Sequence, residues 1–400
     1  METTEINKLG KELELYKTVD YIGKGFPIIL PRGAKILKII KDYVEQEEEK
    51  EGYKIVQTPS VSNAEIYIIE DRFENEKDEM FIIKNNESDN DCDEKSTNQI
   101  VLRPYVQPFH CSIYKSKQYS YKELPVKFSE TSTVFRNERD IKGITRTRQI
   151  TMSDASIYST PEKIEKTIRE AIMMQQRFIK KLNLDVEYVI ETWNDTKKEE
   201  YIGNIEEWDF LTESMKSALN SLNIEYKEKE NAKMYGPTIK ILYNKKYFSS
   251  LQIDFEITHR FNLKYISENN EEKFPVYMHL TFVGSYENML GILLEKYKGT
   301  FPLWLSPTQI MIIDEGEEFD DYADNLKNEF IKNGLRAETD NSSNSSQNKI
   351  GKAVDFKIPY IVTIGKKELN QNTIKIHGVD KPYKIEEFIE EVLNCNKIQK

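Results

Sequence analysis

A chain of 400 residues with a formal net charge of -11 and a sequence pI near 5.3 has room for two or three domains, and its acidity argues against indiscriminate nucleic-acid binding. Hydrophobic residues make up 38% and aromatic residues 11%, enough to bury real cores. Three scattered cysteines (Cys92, Cys111, Cys395) build no disulfide framework, no apolar run reaches the length of a membrane span, and the polar opening METTEINKLGKELELY lacks a hydrophobic signal core, so a soluble protein of the reducing cytoplasm is expected.

In chain order, residues 34–49 carry Ile36, Leu37, Ile39, Ile40 and Val44 at helical spacing and end in an acidic tail. A short strand with Tyr53, Ile55 and Val56 follows, closed by Pro59. Residues 85–98, NNESDNDCDEKSTN, are polar and aperiodic, a flexible surface insertion. Residues 100–103 read as a strand leading into Pro104-Tyr105-Val106-Gln107-Pro108-Phe109-His110. Two β-type runs, 133–135 and 148–151, flank a charged loop in which Gly143 supplies the turn, a hairpin signature. Residues 161–182 predict an amphipathic helix with Thr160 as N-cap, and 208–222 a second helix. Alternation predicts strands over 247–255 and 275–282. Strands linked by hairpins and interspersed with helices give an α+β reading, an antiparallel sheet backed by helices.

After residue 301 the order becomes strand (309–313), helix (322–333), strand (360–364), helix (385–393). This predicts a small α/β domain over 301–400 following a larger one over 1–300. Within it, residues 341–348, NSSNSSQN, form a low-complexity loop expected to be disordered.

The hairpin is the most informative segment. Five cations, Arg136, Arg139, Lys142, Arg146 and Arg148, reverse the sign of an acidic chain locally. Guanidinium forks suit phosphate oxygens, so a triphosphate or an RNA backbone would fit. A solvated ribbon with salt-bridged edges accounts equally for the charge alone.

Phe135-Arg136-Asn137-Glu138, then a loop, then Gly143-Ile144-Thr145-Arg146-Thr147-Arg148 resembles motif 2 of the class II aminoacyl-tRNA synthetases, and the flanks are most similar to the threonyl-tRNA synthetases. The resemblance implies that Arg136 binds the α-phosphate of ATP and the amino-acid carboxylate and that Glu138 faces the adenine side. Arg148 and Gln252 complete the nucleotide contacts it implies, while Arg139, Lys142 and Arg146 meet the tRNA acceptor end. A fixed cation is what in-line attack of a carboxylate on an α-phosphate requires, because the reaction brings two anions together. The helix, strand and Pro59 resemble motif 1, which implies a homodimer. Phe26 to Gly33 resembles the entry to the catalytic domain, so N-terminal editing and ubiquitin-like domains are expected to be absent. The FPLWLSPTQ segment from Phe301 resembles the start of an anticodon-binding domain.

The chain departs from the family pattern at several positions. Of the family's three zinc ligands, Gln107 replaces the cysteine and Ser156 the first histidine, while His279 is kept. Amide and hydroxyl oxygens are poor zinc ligands, so zinc is not expected. His110 and Cys111 could form a displaced site with His279, but such a pair is more often packing. In Gly284-Ser285-Tyr286-Glu287-Asn288, which resembles motif 3, Asn288 replaces the arginine that packs on adenine and grips the γ-phosphate. Tyr235-Gly236-Pro237 is kept, but Lys240 stands where the family has an aspartate, and Tyr247, Ser249 and Ser250 where it has a glutamine and a glycine-threonine pair, with Tyr247 expected to crowd the nucleotide side. Asp154 matches a threonine-contacting aspartate, or else caps a turn at Ser153, and Met152 replaces a neighbouring glutamine. Near the end, the helix after Lys349-Ile350-Gly351 is shortened, and His377 falls near an anticodon-reading arginine.

Three readings follow. One is a degenerate paralogue that binds nucleotide or tRNA with weak or no ligase activity. Another is a working ligase, using ATP with Mg²⁺, for threonine or another small amino acid without zinc. The third is a non-catalytic dimeric scaffold.

Overall fold

A computed structural model describes residues 1–83 and 99–398, so the expected insertion at 85–98 lies outside the described residues. The chain divides into two compact units, one of residues 20–26 and 41–289, the other of 1–19, 27–40 and 290–400.

The first unit is built on an eight-stranded sheet. Its strands are β1 (Lys54–Ile55), β2 (Val126–Phe135), β3 (Gln149–Ser159), β4 (Val186–Glu191), β5 (Tyr226–Lys229), β6 (Thr238–Tyr243), β7 (Lys246–Asp254) and β8 (Val276–Val283), in the order β5-β4-β6-β7-β8-β3-β2-β1. All neighbours are antiparallel except the two edge pairs. Its helices are α1 (Gln107–Lys115), α2 (Ile164–Lys181), α3 (Ile205–Ser221) and the start of α4 (Tyr286–Tyr297).

Strand alternation separates the two faces of the sheet. On one, Ile239, Leu251, Leu280 and Ala155 lie in register and are wholly buried. Helix α2 covers this face, with Phe178 5.4 Å from Phe282. Burying each of the leucine, isoleucine and phenylalanine side chains among these stabilises the fold by about 1.5–3 kcal/mol.

Helix α3 begins earlier than hydrophobic spacing predicts because Asn204 and Glu207 form a capping box ahead of Trp208. Thr160, by contrast, makes no side-chain capping bond. Pro161 instead opens a 3₁₀ turn, since its missing N–H is one that a first turn leaves unpaired anyway, and α2 starts at Ile164.

In the second unit, β9 (Ile310–Asp314), α5 (Asp320–Lys332), β10 (Ala337–Thr339), α6 (Ser346–Asp355), β11 (Tyr360–Ile364), β12 (Thr373–Ile376), β13 (Pro382–Lys384) and α7 (Ile385–Ile398) build a sheet of order β10-β9-β11-β12-β13. The first three strands are parallel, and Ile312, Phe330, Val362, Phe388 and Val392 fill the core. Of the loop expected over 341–348, the last three residues are helical. Ser345 accepts a hydrogen bond from the Asn348 amide and caps α6, so Ser346, Gln347 and Asn348 form its first turn. Among the described residues no helix is long and apolar enough to cross a membrane.

Candidate active site

The other face of the large sheet is polar. Cross-strand register lines up Lys240, Ser250, Thr281, Asp154 and Glu130 in one row and Thr238, Gln252, His279 and Ser156 in the next. Asp154, 2% exposed, accepts hydrogen bonds from Ser132 Oγ at 2.6 Å and His279 Nε2 at 2.9 Å. Burial pushes its carboxyl up, but the His279 and Ser132 bonds and the charges of His279 and Arg136 outweigh it and hold the carboxyl below its ordinary value. Asp154 therefore caps no turn at Ser153, because both residues lie inside β3.

Helix α1 lies over the Ser156 end of this face. His110, wholly buried, has Nδ1 2.9 Å from Ser156 Oγ and Nε2 3.6 Å from Glu130 Oε2. Glu130 is held by Arg103 at 2.9 Å and Thr58 at 2.7 Å, while Ser156 also meets the Tyr277 hydroxyl at 2.9 Å. Cys111 Sγ accepts from the Tyr158 hydroxyl at 3.5 Å, and burial raises the thiol far above its ordinary pKa. Gln107 Oε1 is buried with no hydrogen-bond partner among the described residues. Ser156 Oγ and His279 Nε2 are thus engaged by protein partners. The described residues contain no group of three or more His, Cys, Asp or Glu placed to hold a metal ion.

Strands β2 and β3 form the expected hairpin, with Phe135 opposite Gln149 and the charged loop between them. Its five cations are not equivalent. Arg146 holds Glu138 Oε2 through Nη2 at 2.6 Å and Nε at 3.0 Å, and Lys142 pairs with Asp140 at 2.9 Å. Arg148 donates to the Glu138 carbonyl at 3.0 Å and the Lys24 carbonyl at 3.4 Å. Gly25, at φ +89°, gives Arg148 its passage, since a Cβ there would lie 2.8 Å from Arg148 Cγ. Arg136, Arg139 and Arg148 have no ion pair with any described residue, and Arg148 directs its guanidinium to backbone carbonyls. Arg139 is exposed, whereas Arg136 is half-buried and anchored by Nε to the Pro104 carbonyl at 3.1 Å.

Beside β7, Tyr235 packs under the Arg72 guanidinium, 3.9 Å from its ring centre. Arg72 in turn pairs with Asp254 and, at 3.3 Å, with Glu70. Burial, opposed by Arg72 and reinforced by Asp254, pushes the Glu70 carboxyl up to about 8. Lys240 is answered by Glu191 at 2.5 Å. Toward α4, Asn288 Nδ2 donates to the Tyr247 carbonyl at 3.0 Å and its backbone N–H to Ser285 Oγ at 3.1 Å. Glu287 accepts from the Thr151 amide and from Ser285. Sequence reasoning missed the Arg72–Asp254–Glu70 cluster; its only signal is a charged Glu70-Asp71-Arg72 triplet set between apolar Ile68-Ile69 and Phe73.

Residues 89–297, more than half of the chain, match the tRNA synthetase class II core domain of the G, H, P, S and T enzymes. The chain belongs to the class II aminoacyl-tRNA synthetases. Residues 309–395 match the anticodon binding domain. A threonine–tRNA ligase of Clostridium botulinum (strain Eklund 17B / Type B) is 34% identical over 402 residues, covering 97% of this chain and 61% of that protein. One from Aquifex aeolicus (strain VF5) is 36% identical over 378 residues, covering 92% of this chain and 57% of the relative. The chain thus spans about three-fifths of the length of the curated relatives it matches. In fold it is similar to the RNA binding domain of threonyl-tRNA synthetase from Cryptosporidium parvum Iowa II, with a TM-score of 0.86, 24% identity and 98% of each chain covered. Class II synthetases use ATP and Mg²⁺, and this chain is threonyl-tRNA-synthetase-like.

Proposed function

We propose that this class II chain is a threonyl-tRNA-synthetase-like protein that binds nucleotide, tRNA or a tRNA-like RNA through its cleft and hairpin, with weak or no ligase activity. The observation that carries the reading is at the α4 end of the cleft. There an uncharged Asn288 amide is bonded to the Tyr247 carbonyl, where the family relies on a guanidinium. An amide supplies no cationic plane for a base and no charge for a γ-phosphate. Losing a fixed contact of that kind typically costs about 10² to 10³ in rate.

The former zinc position supports the same reading. Gln107 and Ser156 offer no thiolate or imidazole, and His279 Nε2 is engaged by Asp154, so this donor set does not fit zinc. The carboxylates of Asp154, Glu287 and Glu138 each accept bonds from protein groups, so Mg²⁺ would enter with the triphosphate rather than be caged beforehand. Arg136 would then be the residue that holds the anion, with Gln252 on the nucleotide side and Asp154, Tyr235 and His279 lining the amino-acid side. Arg139, beside the acid-paired Lys142 and Arg146, would meet RNA. A homodimer in the cytoplasm accords with the motif 1 resemblance and the cysteine usage.

A working ligase is the second reading, favoured by the half-buried Arg136 guanidinium, which is anchored through Nε to the Pro104 carbonyl and has no ion pair with any described residue. Retention of tRNA on a filter, run beside amino-acid-dependent ATP–pyrophosphate exchange, separates the two. RNA retention with silent exchange fits binding alone, and exchange with any one amino acid shows amino-acid activation and favours the ligase.

A further inference from the structure

Tyr247 does not lie where strand alternation would put it. Ile241 pairs with Ser249 and Leu242 with Tyr247, so Phe248 is an extra residue in β7, a β-bulge opposite a continuous β6. Without the bulge, Tyr247 would share the helix-covered face with Ser249, Leu251 and Ile253. With it, Phe248 turns toward Phe178 of α2, 6.3 Å between ring centres, and Tyr247 is delivered to the polar face beside Ser250. The Asn244-Lys245 turn, with φ of +48° and +63°, starts β7 directly ahead of it.

Three contacts hold the ring there. The hydroxyl is 2.8 Å from Ser250 Oγ, the Tyr247 carbonyl takes the Asn288 amide at 3.0 Å, and the Cδ1–Cε1 edge of the ring packs against Gly284. A Cβ on Gly284 would sit 2.2 Å from Tyr247 Cε1, so the glycine is the seat of the ring. The hydroxyl end is buried, within reach of the charges of Asp154 and Arg136, while the residue keeps 36% of its surface open. The ring therefore crosses the cleft floor between the cation that would hold a phosphate and the turn that would face a base.

We infer that Tyr247 sets how tightly this cleft holds a nucleotide, its bulge-delivered ring occupying the nucleotide end between Arg136 and Asn288 and weakening the hold on a purine nucleoside triphosphate. The inference deepens the proposed function and rests on its assignment of Arg136 to the phosphate and of Asn288 to the base end. Mg·ATP titrated calorimetrically into the full chain tests it. Tyr247→Ala should bind ATP about tenfold or more tightly than wild type, and Tyr247→Phe should stay within about twofold, because Gly284 still seats the ring. Gly284→Ala, which pushes the ring off its seat, should move affinity in the same direction as Tyr247→Ala. An alanine variant that melts like wild type and binds ATP equally or more weakly overturns the inference, showing that the ring is neutral or a stacking platform. Robust exchange by the wild-type chain would instead overturn the functional reading, and the Tyr247 affinity ratio would still be decided by its own titration.

Discussion

Replacing Glu70 by glutamine should remove a pH dependence that the buried Arg72 cluster imposes on the larger unit. Glu70 is 4% exposed and shares the Arg72 guanidinium with Asp254, and its carboxyl is pushed from an ordinary 4.5 up to about 8. Between those two values the folded chain holds a proton that the unfolded chain has released, so stability falls as pH rises. Glu70's contribution is complete below pH 4.5 and is lost as pH passes 8. Each pH unit in that window is worth up to about 1.4 kcal/mol, which amounts to about 2.5 kcal/mol between pH 6 and pH 8.5. Glutamine has the same shape and does not titrate. Asp254 titrates in both chains and largely cancels in the difference. Urea unfolding of wild type and Glu70→Gln at closely spaced pH values reads it directly. The variant should gain on wild type steadily above pH 6. Two parallel stability curves would refute the reasoning, because they would mean that Glu70 ionises in the folded chain as it does in the unfolded one.

The loop cations give a second test. Arg139→Ala should weaken RNA retention and flatten its salt dependence by about one counterion, whereas Arg146→Ala, whose charge is already spent on Glu138, should change both less. Filter binding at several salt concentrations distinguishes them, and equal losses would show that the Arg146–Glu138 pair opens for RNA. In the second unit, Lys349→Met strands Asp314, 3% exposed, without its partner at 3.3 Å and should cost about 3–5 kcal/mol. Adding Asp314→Asn should recover much of that loss in urea unfolding. No recovery would mean that the stem of Lys349, not its charge, is what matters there.

The elements themselves were largely legible, because periodicity reports which residues face a core. The loop end of the hairpin, read at 133–135 and 148–151, the strand read over 275–282 and the β11 run follow from it, although the hairpin strands prove far longer, Val126–Phe135 and Gln149–Ser159. What periodicity cannot report is partners. Asp154 meets His279 across 125 residues and Arg72 meets Asp254 across 182, and nothing local in either sequence names the other. The loop acids were visible, yet only hairpin closure sets Glu138 against Arg146 and so removes one cation from the count. The bulge at Phe248 matters most. A strand read as alternating from Tyr247 puts that ring on the wrong face, and no residue type in Tyr243-Asn244-Lys245-Lys246 announces the extra residue.

Amino-acid-dependent ATP–pyrophosphate exchange, run on the wild-type chain with each of the twenty amino acids, tests the central claim most directly. With Asn288 in place of a guanidinium and Tyr247 on the cleft floor, exchange should stay at background for all of them. Robust turnover with any single amino acid, threonine included, would show that the cleft activates an amino acid and would contradict the binding-only reading.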